Sequence, residues 1–219
     1  MNPPEIRMAE LAFSRYHTRD PFEIIEARNI KLRMYERPEG LLGFYTVLNR
    51  KQIIGLNSEA NPVLLKTGAI HELGHSLNDF QSAASGARFE DYQFYSLSCA
   101  PKEYSANITG ADLCIDDDFI LEQICYREYC DTIEYIEKHI DRYKKTRSKV
   151  QFEQEKMMEF YQDHEDIPSY ESLACELGVV EEVVKFKFRA LNAKGYAMPN
   201  IPDTRADFLK NWKRGQEWD

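Results

Sequence analysis

The sequence predicts an α+β fold, mostly helical, with a small antiparallel β-sheet packed against a helix that carries paired histidines. Two observations carry the prediction: one convincing hairpin pattern between residues 42 and 56, and helical periodicity through most of the remaining chain. With 219 residues, 43% of them hydrophobic and 30% charged, the chain has material for one sizeable core and a small appended module.

Residues 5–40 read as helical. Met8, Leu11, Ala12, Phe22 and Ile25 recur at helical spacing, and Asp20-Pro21 supplies an N-cap followed by proline at the first helical position. Pro38-Glu39-Gly40 marks a turn. After it, 42–48 and 52–56, rich in Tyr, Thr, Val and Ile, form two arms of a hairpin around Asn49-Arg50-Lys51. Asn61-Pro62 is a second cap-plus-proline start, opening a helix to about residue 79 with Val63, Ile70, Leu73 and Leu77 as its apolar positions. A polar, aromatic loop covers 80–101, and a further helix starts near Lys102. The run from 116 to about 159 is mostly helical, with Ile133, Ile136, Ile140 and Tyr143 on one core-facing stripe. Residues 167–198 read as two short helices around Gly178, stopped by Gly195. The expected divisions are a main domain at 1–165, a small helical module at 166–198 and a polar tail at 199–219.

The formal net charge of −9 argues against a general nucleic-acid binder, which needs clustered cations. The basic stretch 138–149 (KHIDRYKKTRSK) reads as a solvated helix face. No apolar run is long enough to span a bilayer, and the N-terminal residues carry charges every few positions in place of a secretory core. The five cysteines, an odd number, read as reduced thiols. Together these predict a cytoplasmic protein with no membrane role.

The informative segment is His71-Glu72-Leu73-Gly74-His75. Residues four apart share a helix face, so His71 and His75 can present two imidazoles to one metal ion. Glu72 is displaced by about 100° around the axis, so it cannot easily join as a ligand, but it can take a proton from a water beside the metal. A third protein ligand is needed. Gln81 and Asn78 stand where a third histidine and its preceding glycine would fall, which excludes that arrangement. Glu90, Glu103, Glu122 and Glu128 are the candidates. Glu103 is preferred because it lies just after Pro101 near a helix start. Ala106 is small enough to pack against the Gly74 face, and Asn107 can accept from the ring N–H of a ligating histidine.

The segments GFYTVLNRKQIIGLNSEA and TGAIHELGHSL, followed by EYSANITGADLCI, resemble the ImmA/IrrE family of metallo-endopeptidases. The resemblance covers roughly residues 20–120, with a fainter echo at 169–198. It implies a zinc-dependent endopeptidase with Zn2+ held by His71, His75 and Glu103 and with Glu72 as the catalytic base. It also implies a protein substrate, a helix-turn-helix repressor of a phage or mobile element, cleaved on signal. Ile108-Thr109 depart from the aromatic-alanine pair usual at that point, and the helical stretch at 121–165 is longer than usual.

Leu173-Ala174-Cys175-Glu176-Leu177-Gly178, with Val184 six residues on, also matches a helix-turn-helix. Its second helix would present Glu181, Glu182, Lys185, Lys187 and Arg189. Acidic residues open that helix where phosphates would come, so packing or substrate docking is expected ahead of direct DNA binding. The competing reading of the whole chain is a metal-containing regulator or partner-binding protein that cleaves nothing. Glu72 speaks against it, because a structural site needs a fourth protein ligand and no base. For oxyanion stabilisation the sequence offers Tyr92, Tyr95 and Tyr104, and for a substrate-pairing edge the strand at 42–48 or 52–56.

Overall fold

The computed structural model describes residues 2–36, 41–87, 89–91, 100–143, 145–164, 167–201 and 203, leaving aside the side chains of Glu90 and Asp91. The elements run α1 (Pro4–Tyr16), α2 (Pro21–Ala27), β1 (Lys31–Tyr35), β2 (Gly43–Leu48), β3 (Lys51–Asn57), α3 (Pro62–Asn78), α4 (Phe80–Ala84), β4 (Phe89–Asp91), α5 (Pro101–Cys114), α6 (Asp117–Gln123), α7 (Tyr126–Ile140), α8 (Thr146–Asp163), α9 (Tyr170–Leu177) and α10 (Glu181–Lys194). The fold is α+β and mostly helical, as the periodicity implied.

Local signals explain where the helices begin and end. α1, α2, α3 and α5 each open on proline, where a missing N–H costs nothing. The Asp20 side chain accepts from the Phe22 and Glu23 amides, and the Asn61 side chain from that of Leu64. Gly195, with φ of 100°, closes α10 in the left-handed conformation that favours glycine.

The sheet order is β1-β3-β2-β4, and the sheet is mixed: β1 runs parallel to β3, while β2 pairs antiparallel with both β3 and β4. The expected sheet was antiparallel, and the expected helical stretch at 5–40 included β1. Lys31–Tyr35 is largely exposed and alternates too weakly to read as a strand, and its pairing is supplied by β3, twenty residues away. β4 and the short α4 fall within the span expected to be loop at 80–101. With β3 and β2 inside the sheet, neither is an edge. Among the described residues the outer strands are β1 and β4.

Register places side chains. Tyr45 lies opposite Ile54 and Phe89, and Gly43 opposite Leu56, so these five share one face of the sheet. α3 lies against that face. Its residues from Thr67 to Ser76 are all buried, and Ala69 and Leu73 join Tyr45, Ile54, Leu56, Ile24 and Ile25 in one core.

The chain divides into two compact units. The first comprises 1–116 with 170–196, and the second 117–169 with 197–219. This cuts across the expected divisions at 165 and 198, because α9 and α10 belong with the sheet and α3. The reason is visible at α10. Lys187, fully buried, donates to Asp112 Oδ1 (2.8 Å) near the C-terminal end of α5, and Lys194 donates to the same oxygen (2.6 Å). Lys66 on α3 donates to the Leu177 carbonyl, and the Val180 amide to Thr67. In the second unit α7 and α8 pair through Tyr135–Phe152 and Tyr129–Phe160 ring contacts. The tail expected at 199–219 lies almost wholly outside the described residues.

Candidate metal centre

Two helices build the site, and small residues set how close they come. A Cβ at Gly74 of α3 would lie 2.1 Å from the Ala106 carbonyl oxygen, and one at Gly110 of α5 would lie 2.4 Å from that of Ile70. Each helix thus puts a small residue against the other's backbone, four residues apart on both sides, and side chains next to this crossing converge.

They converge on one point. His71 Nε2 and His75 Nε2 are 3.1 Å apart, and Glu103 Oε2 lies 3.1 Å from the first and 3.2 Å from the second. Among the described residues this is the group of histidine, cysteine and carboxylate side chains that could hold a metal ion. Of the other glutamates considered, Glu90 is on β4, Glu122 on α6 and Glu128 on α7. The remaining histidines are used elsewhere. His17 caps α1 in a left-handed conformation, and the Nδ1 atoms of His139 and His164 bond the carbonyls one turn earlier.

The far side of each imidazole is fixed. His71 Nδ1–H donates to Asn107 Oδ1 (2.7 Å), and His75 Nδ1–H to Asp79 Oδ2 (2.9 Å). With Nδ1 protonated, each Nε2 turns its lone pair toward Glu103. Asn107 is the residue the sequence offered for this duty. Asp79 was missed, although its position four residues after His75 on the same helix was a usable signal. Burial favours the neutral His75 ring, but hydrogen bonds to Asp79 and Glu103 outweigh it and hold the pKa above the ordinary histidine value. Burial likewise pushes Glu103 up, yet the two histidines overcome this and hold it well below the usual carboxylate range. Its place in the first turn of α5 also favours the anion.

Glu72 is fully buried between α3 and the sheet. A Cβ at Gly43 would stand 2.9 Å from its Oε1, so the glycine on β2 makes room for this carboxylate. Phe89 of β4 stacks on the His75 ring at 4.6 Å, and Lys102 Nζ lies 5.3 Å from the Phe89 ring centre. The site is not sealed: the two histidine side chains are 4% and 1% exposed but Glu103 is 36% exposed.

Other sequence expectations fall elsewhere. Tyr92 and Tyr95 lie outside the described residues. The Tyr104 ring packs edge-on against Phe186 of α10, with the Arg189 guanidinium 5.8 Å from its centre. Lys187, expected on a presented helix face, is buried against Asp112. No helix among the described residues is long and apolar enough to cross a membrane. Cys114, Cys125, Cys130 and Cys175 are free thiols. No family model, curated protein or solved structure matches the chain.

Proposed function

We propose that this protein is a zinc-dependent endopeptidase of the ImmA/IrrE kind, acting in the cytoplasm on a helix-turn-helix repressor. The observation that carries the reading is the triangle of His71 Nε2, His75 Nε2 and Glu103 Oε2, with edges of 3.1–3.2 Å, together with a buried carboxylate, Glu72, next to His71 in the helix. Tetrahedral zinc ligands at about 2.0–2.1 Å stand roughly 3.3 Å apart, so the triangle suits zinc to within a few tenths of an ångström. Zinc held there supplies a Lewis acid that polarises a carbonyl and eases the ionisation of water.

The chain's own residues do the rest. Asn107 and Asp79 hold the two rings in the tautomer that offers Nε2. Glu72, next to His71 in the helix, takes a proton from the attacking water and returns it to the leaving amine. Among the described residues three protein donors converge, which leaves a fourth position for water as in catalytic rather than structural zinc sites. This favours a peptidase over a regulator that cleaves nothing. α10 is poorly suited to reading DNA, since Lys187 is buried and Arg189 lies against Tyr104 and Phe186.

An extended peptide can add to the outer edge of β4, which reaches His75 through Phe89. Strand addition needs a locally extended chain, so the cut falls in a flexible linker of a folded substrate. An acidic enzyme also suits a basic, DNA-binding target. The test is incubation of the zinc-loaded chain with helix-turn-helix repressors from its own genome, those encoded nearest its gene first, with Glu72→Gln as control and products read by mass spectrometry. One cut in a linker, absent with Glu72→Gln, is expected. No cut, or one that Glu72→Gln retains, ends the proposal.

A further inference from the structure

We propose that the tip of the α7–α8 hairpin binds the phosphate backbone of nucleic acid, with exposed tyrosines beside it for unpaired bases. In a chain with a net charge of −9, residues 138–149 carry six lysines and arginines and one acid, Asp141. The structure sets five of these cations around one turn. Lys138 lies in the last turn of α7, Arg142 and Lys145 in the connection, and Arg147 and Lys149 in the first turn of α8.

Local acids use up only part of this charge. Lys138 pairs with Glu134, and Lys149 with Asp141 at 2.9 Å. Arg142, Lys145 and Arg147 are exposed and have no carboxylate partner among the described residues. A solvated helix face would alternate its charges along one helix. Here three unneutralised cations sit together where two helices meet.

The neighbouring aromatics choose the partner. Tyr135 is 46% exposed with its ring stacked on His139 at 4.1 Å, and Tyr143 is 36% exposed and stacked on Phe152 at 4.7 Å. Each ring is braced by another and still meets solvent, Tyr143 next to Arg142 in the connection and Tyr135 with Lys156 Nζ 5.9 Å from its centre. Cations that follow a backbone beside aromatic rings that accept bases are what a nucleic acid requires, and an acidic peptide has no use for the rings. The surface is separate in sequence and chemistry from the metal centre, so its fate does not depend on the peptidase reading.

The test uses the full-length chain and fluorescence anisotropy with a labelled oligothymidylate, a duplex of matched length, and polyglutamate as competitor. Binding is expected at low salt, weakening about 20- to 40-fold over an about four-fold rise in salt if three phosphates are neutralised. The triple variant R142E/K145E/R147E should lose at least about 10-fold in affinity and flatten that dependence. K31E/R33E/K51E makes the same charge change at exposed positions on β1 and β3 and should bind much as the parent does. Tighter binding of the single strand assigns the tyrosines to bases, and equal binding assigns the site to backbone alone. Three results overturn the proposal: no binding at low salt, equal loss in both triple variants, or polyglutamate competing as well as unlabelled nucleic acid.

Discussion

Gly74→Ala tests the helix crossing that forms the metal centre. The added Cβ would lie 2.1 Å from the Ala106 carbonyl oxygen, 2.8 Å from its carbon and 3.0 Å from Cα, all backbone atoms that no rotamer change can move. Reaching an ordinary contact needs α3 and α5 to part by at least about 1.2 Å. Overpacking of this kind costs about 1–3 kcal/mol, and a backbone neighbour that cannot turn aside points to the upper end, or about 5–10 °C in Tm. The same displacement moves Glu103 away from histidine nitrogens now 3.1–3.2 Å distant, so zinc affinity should fall by about 10- to 100-fold. Gly68→Ala is the control on the same helix. Its Cβ would meet only Leu56 Cδ2 at 3.3 Å and the Leu42 oxygen at 3.7 Å, and alanine gains up to about 1 kcal/mol of helix propensity. Thermal melts with and without zinc, and chelator competition for affinity, measure both quantities. If Gly74→Ala melts with the parent and binds zinc unchanged, the crossing does not set the site.

Glu103→Ala should remove one of three donors and collapse metal stoichiometry under mild chelation, and unchanged metal analysis would send the third ligand elsewhere. Glu72→Gln should keep the metal and lose roughly two to four orders of magnitude in peptide hydrolysis. Asp79→Ala frees His75 to turn and should weaken zinc by about 10- to 100-fold with far-UV circular dichroism unchanged. In metal-stripped protein, the raised His75 pKa means that its contribution to stability is whole below the ordinary histidine value and is lost as pH rises through the raised one. Zinc runs opposite, since it needs the neutral ring. Melts across pH should therefore show zinc's stabilising increment growing as pH rises through that window, and a flat increment would remove His75 from the ligands.

Much of this centre was readable in the chain. His71 and His75 are bound by helix period alone, and Gly74 with Ala106 signalled a close approach that the 2.1 Å clash bears out. Asn107 sits one turn after Glu103, so the same helix delivers the candidate carboxylate and the hydrogen-bond partner of His71. What escaped reading was non-local. β1 is a strand because β3 lies beside it, and its own exposed residues say little. β4 is three residues long, too short for any period, yet it covers β2 and so, among the described residues, makes itself the outer strand. The module at 166–198 looked separable because its sequence forms a tidy helical pair. Contacts far apart in sequence, Lys187 and Lys194 with Asp112 and Lys66 with the Leu177 carbonyl, show that the pair packs with α5 and α3.

Those contacts bear on how the protein can be cut. The first unit leaves off at Asp116 and resumes at Tyr170, while the second takes in 117–169 and the chain after Tyr196, so in topology 117–169 interrupts a discontinuous host. A C-terminal truncation before Tyr170 would not trim an accessory. It would leave Asp112 without Lys187 and Lys194, and would strip the buried Val183, Val184 and Phe186 from the unit that holds the candidate metal centre. Internal excision is the cleaner division. Replacing 117–169 with a flexible linker and ending the chain at Tyr196, so that both pieces of the second unit go together, keeps every hydrogen bond described at the candidate metal centre and all of α9 and α10. Evolution has the same freedom, since a segment spliced between two ends of a finished core can lengthen, shrink or change its cargo without disturbing the chemistry it interrupts.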